Sequence, residues 1–264
     1  IEGGEFHASV VGGSTAHVYP SNGENIPNLS VTDGSTSVTI TGGTFNPSKS
    51  SLANDKGGIN LKAAVIGGGL AYGTNTSSVL GSDAQDVTSR VSISGDAQVN
   101  GKVVAGSVVA NGGYAAIVHG DTSLSMTGGT VNDDLVGGGM VQDATSLSGE
   151  DAPSHNLIVT GNAGVTVDGG TATGEIVGGN YVRGDGSARV KNSTVSITGG
   201  TFAAAADSQN KAQYVIGGNK SMAYTGDTTK TLVEKDSGVL VNGNVNIADG
   251  AVVGGSMAKA ENDG

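Results

Sequence analysis

Apolar and polar residues alternate along this chain in short bursts, and most bursts end in Gly-Gly. The run Leu124-Ser125-Met126-Thr127 leads into Gly128-Gly129-Thr130-Val131, and Leu135-Val136-Gly137-Gly138-Gly139 follows after a short spacer. Written generally, the unit is apolar-x-apolar-x-Gly-Gly-Thr-apolar, a spacer, then apolar-apolar-Gly-Gly-small. Alternation at period two predicts a half-buried strand, and an apolar pair closed by glycine predicts a second, shorter strand at a corner. No stretch has the three-to-four-residue period of a helix.

The unit recurs. Ile1-Glu2-Gly3-Gly4-Glu5-Phe6 is followed by Val10-Val11-Gly12-Gly13-Ser14, and Ile40-Thr41-Gly42-Gly43-Thr44-Phe45 by Val65-Ile66-Gly67-Gly68-Gly69. Further copies begin at Met126, Val167 and Ile197, with second halves at Leu135, Ile176 and Val215. Two copies are looser, at Val91 to Asp96 with Val103 to Ser107 and at Val239 to Asn244 with Val252 to Ser256. A repeat of this kind predicts a solenoid. Each copy is too thin to bury its own apolar face, so strands pair with their counterparts above and below in parallel sheets. The glycines mark corners that need positive φ or a close backbone approach. Phe6, Phe45 and Phe202 share one cassette position and are expected in one inward column. Seven layers at about 4.8 Å give a length of roughly 35 Å. A β-sandwich is the rival fold, but it leaves the repeated Gly-Gly unexplained.

Between cassettes, the stretches Tyr19 to Ser37, Gly73 to Ser89, Gln142 to His155 and Thr225 to Ser237 are polar and variable. They read as surface loops or short hairpins. Two insertions, Asn46 to Lys62 and Ala203 to Gln213, fall inside cassettes. The expected organisation is a single repeat segment over residues 1–264. It opens at Ile1, already inside a cassette, and so reads as a piece of a longer repeat protein.

Composition sharpens this picture. Of 264 residues 47 are glycine, without the three-residue period of collagen, and the apolar residues are mainly small or β-branched. Both features disfavour helix and suit narrow strands. The formal charge of -11 gives no electrostatic footprint for nucleic acid or an anionic membrane. There are no cysteines, which excludes disulfides and thiolate metal sites. No window reaches the roughly 18 apolar residues of a spanning helix, and no signal-peptide pattern is present.

Candidate chemistry is sparse. The acids lie mostly in the variable stretches, as with Asp83, Asp86, Asp143, Glu150, Asp151, Asp227 and Asp236. Asp133 and Asp134 are adjacent, and strand alternation would turn them to opposite faces. His7, His17, His119 and His155 are far apart in the repeat frame and lack metal-ligand spacing. Ser208 and Ser256 each begin a Ser-x-x-Lys, a spacing with catalytic meaning only on a helix. The sequons at Asn28, Asn75, Asn192 and Asn219 carry meaning only if the source glycosylates them, and little if it is bacterial. No cofactor or metal is expected, and the chain does not read as an enzyme.

These cassettes resemble the passenger regions of bacterial autotransporters and related β-helical surface adhesins, with repeats like Ser-Val-Thr-Ile-Thr-Gly-Gly-Thr-Phe followed by Val-Ile-Gly-Gly-Gly. The resemblance spans essentially the whole chain. It implies an all-β fold, a right-handed parallel β-helix of about seven repeats with inserted loops. It also implies export and display on the outer membrane, as a non-enzymatic adhesin or adhesin stalk. The expected partners are a host or bacterial surface receptor or a glycan, with end-to-end or side-by-side self-association. Nucleic acid and direct membrane insertion are not expected. Two other functions fit the architecture: a polysaccharide-active β-helix enzyme, and a structural subunit of an extracellular filament.

The frame also yields a candidate site. After each second Gly-Gly, small residues such as Ser14 and Ala16 or Gly69 and Ala71 alternate with larger ones such as Leu70 and Tyr72, Tyr181 and Arg183, or Lys220 and Met222. The small set suits the core, which leaves the large set as two outward columns. The ligand-binding candidates are therefore Tyr72, Tyr181, Arg183 and Lys220. Gly184 and Asp185 are added because Arg183-Gly184-Asp185 matches the tripeptide that integrins recognise on exposed loops.

Overall fold

The computed structural model describes residues 1–17, 28–47, 63–73, 76–144, 155–202, 213–223, 229–243, 245–247 and 250–260. Among them the chain is all-β, and every ladder between its strands is parallel. None of the described residues forms a helix long and apolar enough to cross a membrane.

Three sheets share the strands. Sheet I has 14 strands. Seven carry the first cassette half: β1 (Glu5–Phe6), β6 (Thr44–Phe45), β11 (Gln98–Val99), β15 (Gly120–Val131), β18 (Leu157–Ala172), β21 (Gly186–Phe202) and β26 (Asn246–Ile247). Of the others, β5 (Thr36–Ile40), β10 (Val87–Ile93) and β25 (Ser237–Val241) carry the apolar-x-apolar start of the same half, and β4 (Asn28–Thr32), β9 (Thr76–Leu80), β14 (Ala115–Val118) and β24 (Thr229–Val233) widen the sheet. Sheet II has seven strands, one from each second half: β2 (Val10–Val11), β7 (Ala63–Ile66), β12 (Lys102–Val104), β16 (Leu135–Val136), β19 (Ile176–Val177), β22 (Gln213–Ile216) and β27 (Gly250–Val253). Sheet III, also seven-stranded, follows the second Gly-Gly: β3 (Thr15–His17), β8 (Leu70–Tyr72), β13 (Val108–Ala110), β17 (Met140–Gln142), β20 (Tyr181–Arg183), β23 (Lys220–Ala223) and β28 (Met257–Ala260). In sheets II and III the spatial order of the strands is their chain order.

The cassette alignment is therefore the pairing register. Ile40, Ile93, Met126, Val167, Ile197 and Val241 lie in one column. Phe6, Phe45, Val99, Val131, Ala172, Phe202 and Ile247 form another. All three phenylalanines thus share a column, and Phe6 and Phe45 stack at 4.7 Å with their planes 5° apart. These columns meet Val65, Val103, Leu135, Ile176 and Val215 of sheet II in the main core. Phe45 is wholly buried, a placement that contributes about 1.5–3 kcal/mol for a side chain of this kind.

Two further cores lie on either side of sheet III. On one, Leu70, Tyr72, Val108, Met140 and Tyr181 pack against Ile66, Val104 and Val136 from the reverse face of sheet II. On the other, Val109, Val141 and Val182 pack against Ala116, Leu157 and Ala188 of sheet I. The expectation that the large residues after the second Gly-Gly point outward is thus corrected. Alternation separates two faces, but here both are covered, as in parallel sheets packed on both sides.

The variable stretches also differ from expectation. Strands β4, β9 and β24 fall within three stretches read as loops or hairpins, and each adds a parallel strand to sheet I. Their alternation is short, as in Leu29-Ser30-Val31-Thr32, and Thr and Ser hold several inward positions, which hid the period. Most of the stretch Gln142 to His155 and of the two insertions lies outside the described residues.

The two Gly-Gly pairs do different jobs. In the first, the second glycine bends the chain with positive φ, as at Gly129 with φ 79°. In the second, neither glycine has positive φ; the constraint is crowding. A Cβ on Gly137 would stand 2.5 Å from the Gly178 carbonyl oxygen and 2.6 Å from the Gly164 carbonyl carbon. Both are backbone atoms held by pairing. Gly137→Ala is accordingly expected to cost about 1–3 kcal/mol. Gly34→Ala, where a Cβ meets nothing within 4 Å, should leave stability unchanged or raise it by about 0.4–1 kcal/mol. Denaturation midpoints of the two variants decide it, and equal midpoints would refute the crowding.

Candidate functional site

Where the chain enters sheet II, beside Tyr181 of sheet III, a cluster of charged side chains is packed among the apolar ones. Lys102, Asp134 and Glu175 occupy one cassette position, immediately before the apolar pair of sheet II, and their backbones are stacked: Val103 N donates to Asp134 O at 2.9 Å and Leu135 N to Glu175 O at 2.8 Å. Lys102 Nζ donates to Asp133 Oδ1 at 2.6 Å and to Asp134 Oδ2 at 2.5 Å. The other oxygen of Asp134 accepts from Glu175 N at 2.8 Å. Lys220, arriving from β23, pairs with Glu175. Both ammonium groups lie near the Tyr181 ring, Lys102 at 5.4 Å and Lys220 at 4.8 Å from its centroid. The Tyr181 hydroxyl donates to Met222 Sδ at 3.0 Å.

Two lysines face three carboxylates here, and burial sharpens the imbalance. Burial raises Glu175 above the usual carboxylate range, Lys220 opposes the rise and Asp134 adds to it. Burial also works against the charged form of Asp134, yet Lys102 and Lys220 outweigh it and hold the group below its ordinary value. Burial opposes the charge on Lys102 too, and Asp134 with Asp133 overcomes it, so its pKa is raised. The Tyr181 phenol is raised mainly by burial. Chemically, the cluster is a closed ionic clamp across neighbouring strands, because its lysines and carboxylates are taken up by one another.

Of the residues expected to bind a ligand, the structure brings Tyr181 and Lys220 into this clamp and Tyr72 into the adjoining apolar core. Their relative exposures are 4%, 4% and 3%, so the expected exposed columns are replaced by a buried seam. Arg183-Gly184-Asp185 is tied along its backbone. Asp143 N donates to Arg183 O at 3.1 Å, Gly184 N to Met222 O at 3.0 Å and Ala144 N to Asp185 O at 3.0 Å. Gly184 has φ 70° and is buried. The tripeptide is a clamped turn between neighbouring strands, not a projecting loop.

Asp133 and Asp134 do not diverge as expected. They lie in the bend before β16 rather than in a strand, so both reach Lys102. The signal that marks the clamp was present in the cassette frame: the position before the second apolar pair is charged in three successive copies. Ser256 is a structural acceptor, taking the Asn219 N–H at 3.0 Å. His7 lies 3.4 Å from Glu5 and His119 lies 3.0 Å from Asp83. Among the described residues no group of three or more His, Asp or Glu is arranged to hold a metal. Ser208, Asn75, Glu150, Asp151 and Asp227 lie outside the described residues.

The exposed surface with the most regular chemistry is the outer face of sheet I. One column there reads Ser37, Arg90, Ser123, Gly164, Thr194, and the next reads Thr39, Ser92, Ser125, Thr166, Ser196. These residues alternate with the buried Val38, Val91, Leu124, Val165 and Val195. A shallow groove of about 290 Å³ crosses this face.

Comparison with protein-family profiles, with curated proteins and with solved structures gives no match to this chain.

The clamp makes two measurable claims. Lys102→Met, which leaves two carboxylates unpaired, should lower stability by about 3–5 kcal/mol at neutral pH. The pH dependence follows from the raised pKa values of Lys102 and Tyr181. The folded state holds their protons more tightly than the unfolded chain does, so their contribution is intact below the ordinary values of 10.5 and 10.0 and falls as pH rises beyond them. Denaturation midpoints between pH 8 and pH 11 should show that fall in the wild type and a shallower one in Lys102→Met. Parallel curves would contradict the clamp.

Proposed function

We propose that the chain forms a right-handed parallel β-helix of about seven repeats and works as a non-enzymatic extracellular recognition protein, an adhesin or its stalk. On this reading it is displayed on a bacterial cell surface, as the likeness of its cassettes to autotransporter passengers implies. The observation that carries the reading is the outer face of sheet I, where Ser, Thr and Arg side chains stand in register over successive strands. Such a face offers many weak hydrogen-bonding positions rather than one catalytic centre. The ligand class that fits it is a receptor glycan.

A second reading, a polysaccharide-active enzyme, is favoured by one observation. Glu175 and Asp134 sit in one cluster with pKa values displaced in opposite directions, the pattern of an acid and base pair. Against it, both carboxylates are engaged by lysines, and relative to their surroundings they are mostly buried. A glycan array run beside a reducing-sugar release assay separates the two. Binding without release is expected. Release that disappears in Glu175→Gln would establish the enzyme instead, and polymers formed by the purified chain would favour a filament subunit.

A further inference from the structure

The geometry points to a sugar-ring subsite in the groove over Gly164, with Arg90, Asp121 and Asn162 as its polar contacts; this rests on the recognition reading above and gives it a place. Gly164 forms the floor. In its column Ser123 precedes it and Thr194 follows, so two hydroxyl side chains flank a stretch of bare backbone.

The fold does not require glycine there. Gly164 has no positive φ. A Cβ on it would meet the Thr194 hydroxyl at 3.2 Å, a tight contact that a shift of a few tenths of an ångström in that side chain relieves, and no backbone atom closer than 3.6 Å. At Gly137, by contrast, fixed backbone forbids a side chain. Glycine weakens a strand interior and often marks a bulge, a bend, or a place where a ligand or another backbone approaches closely; Gly137 approaches Gly164 from the inner side, and the outer side is the one that the groove opens. At position 164 the omission opens the groove and serves no packing need.

The groove's polar groups are fixed from below and open above. Asp121 Oδ1 accepts from Asn162 N at 2.7 Å, which holds the carboxylate and leaves its second oxygen as an acceptor. Asn162 Oδ1 accepts from Asn192 Nδ2 at 2.7 Å, which orients the amide so that its own Nδ2 remains a donor. Arg90 is exposed and has no ion pair among the described residues. Ser123 and Thr194 add hydroxyls that serve as donor or acceptor. Donors and acceptors set close together around a bare floor match a ring that carries several hydroxyls.

Other ligands fit less well. A lone inorganic anion would meet the Asp121 carboxylate beside Arg90, on a chain of formal charge -11. An apolar ligand would find no large apolar side chain in the lining. The groove volume, about 290 Å³, lies just below the roughly 300 to 1,000 Å³ of drug-sized ligand sites, which suits one sugar ring rather than a larger ligand. Along the ladder the next column repeats Ser and Thr, so an oligosaccharide bound at Gly164 can continue along the face.

The test uses the whole chain on an array of plant, bacterial and animal oligosaccharides, followed by titration of the strongest ligand found. Gly164→Val fills the floor, and Arg90→Ala removes the guanidinium. Each is expected to weaken binding about tenfold or more, as the loss of a charged hydrogen bond or of close contact does. Glu234→Gln, on the Arg189 ion pair, should bind like the wild type. Denaturation midpoints establish that each variant is folded, and should Gly164→Val fail to fold, Gly164→Ala and Arg90→Ala carry the test. Wild-type binding that both folded groove variants retain would overturn the subsite and leave the recognition reading standing. No binding by the wild type to any oligosaccharide would overturn both.

Discussion

Parallel, in-register pairing means that the neighbours of a residue across a ladder are its own counterparts from adjacent cassettes. This constraint selects the residues that fill each column. Branched aliphatics stack well on themselves, and so do phenylalanines. Amides do too, because each can donate upward and accept from below. Asn132 donates to Asn100 at 2.7 Å and Asn100 donates to Asn46 at 2.5 Å. Inside the fold the buried amides act differently, each accepting a backbone N–H of the preceding layer: Asn180 Oδ1 accepts from Gly139 N and Asn219 Oδ1 from Asn180 N. Charge is the exception, since like charges directly opposite repel. The column of Lys102, Asp134 and Glu175 meets this by alternating sign once, and Lys220 arrives from sheet III to balance the second acid.

Much of this was legible because a ladder is a sequence alignment made physical. Aligning cassettes on Gly-Gly gave the register directly, down to the placement of Phe6, Phe45 and Phe202 in one column. Direction was less legible. The alternation after the second Gly-Gly separates Tyr181 from Val182, yet it is silent on which face meets solvent, and both are covered. A period-two pattern presumes one wet face, whereas sheet III lies between sheets I and II. The strands at Asn28–Thr32 and Thr76–Leu80 were hidden for a related reason. Their inward positions include Ser78, 1% exposed, and Thr76, wholly buried, and such residues look polar in a one-dimensional reading.

The clamp was hidden by a different habit of reading. Strand alternation does not apply to Asp133 and Asp134, which stand in a bend before the strand. A column-wise comparison of the residue before each second apolar pair finds Lys102, Asp134 and Glu175 together. In a repeat protein, then, charge is read across cassettes before it is read along the chain.

This division of labour also bears on where function resides. The buried columns have little freedom, because a change in one cassette is felt by the strands on both sides of it. The outer columns of sheet I are held by the same backbone, but among the described residues their side chains are exposed or half-exposed. Ser, Thr, Arg and Gly can therefore replace one another there at little cost to the fold. Gly164 and Gly137 show the contrast within one neighbourhood. The first is free to carry a side chain and lacks one, and the second lacks one because fixed backbone forbids it. Where packing explains a residue, no further role is needed. Where packing leaves it unexplained on an exposed and pre-oriented surface, chemistry is the remaining account.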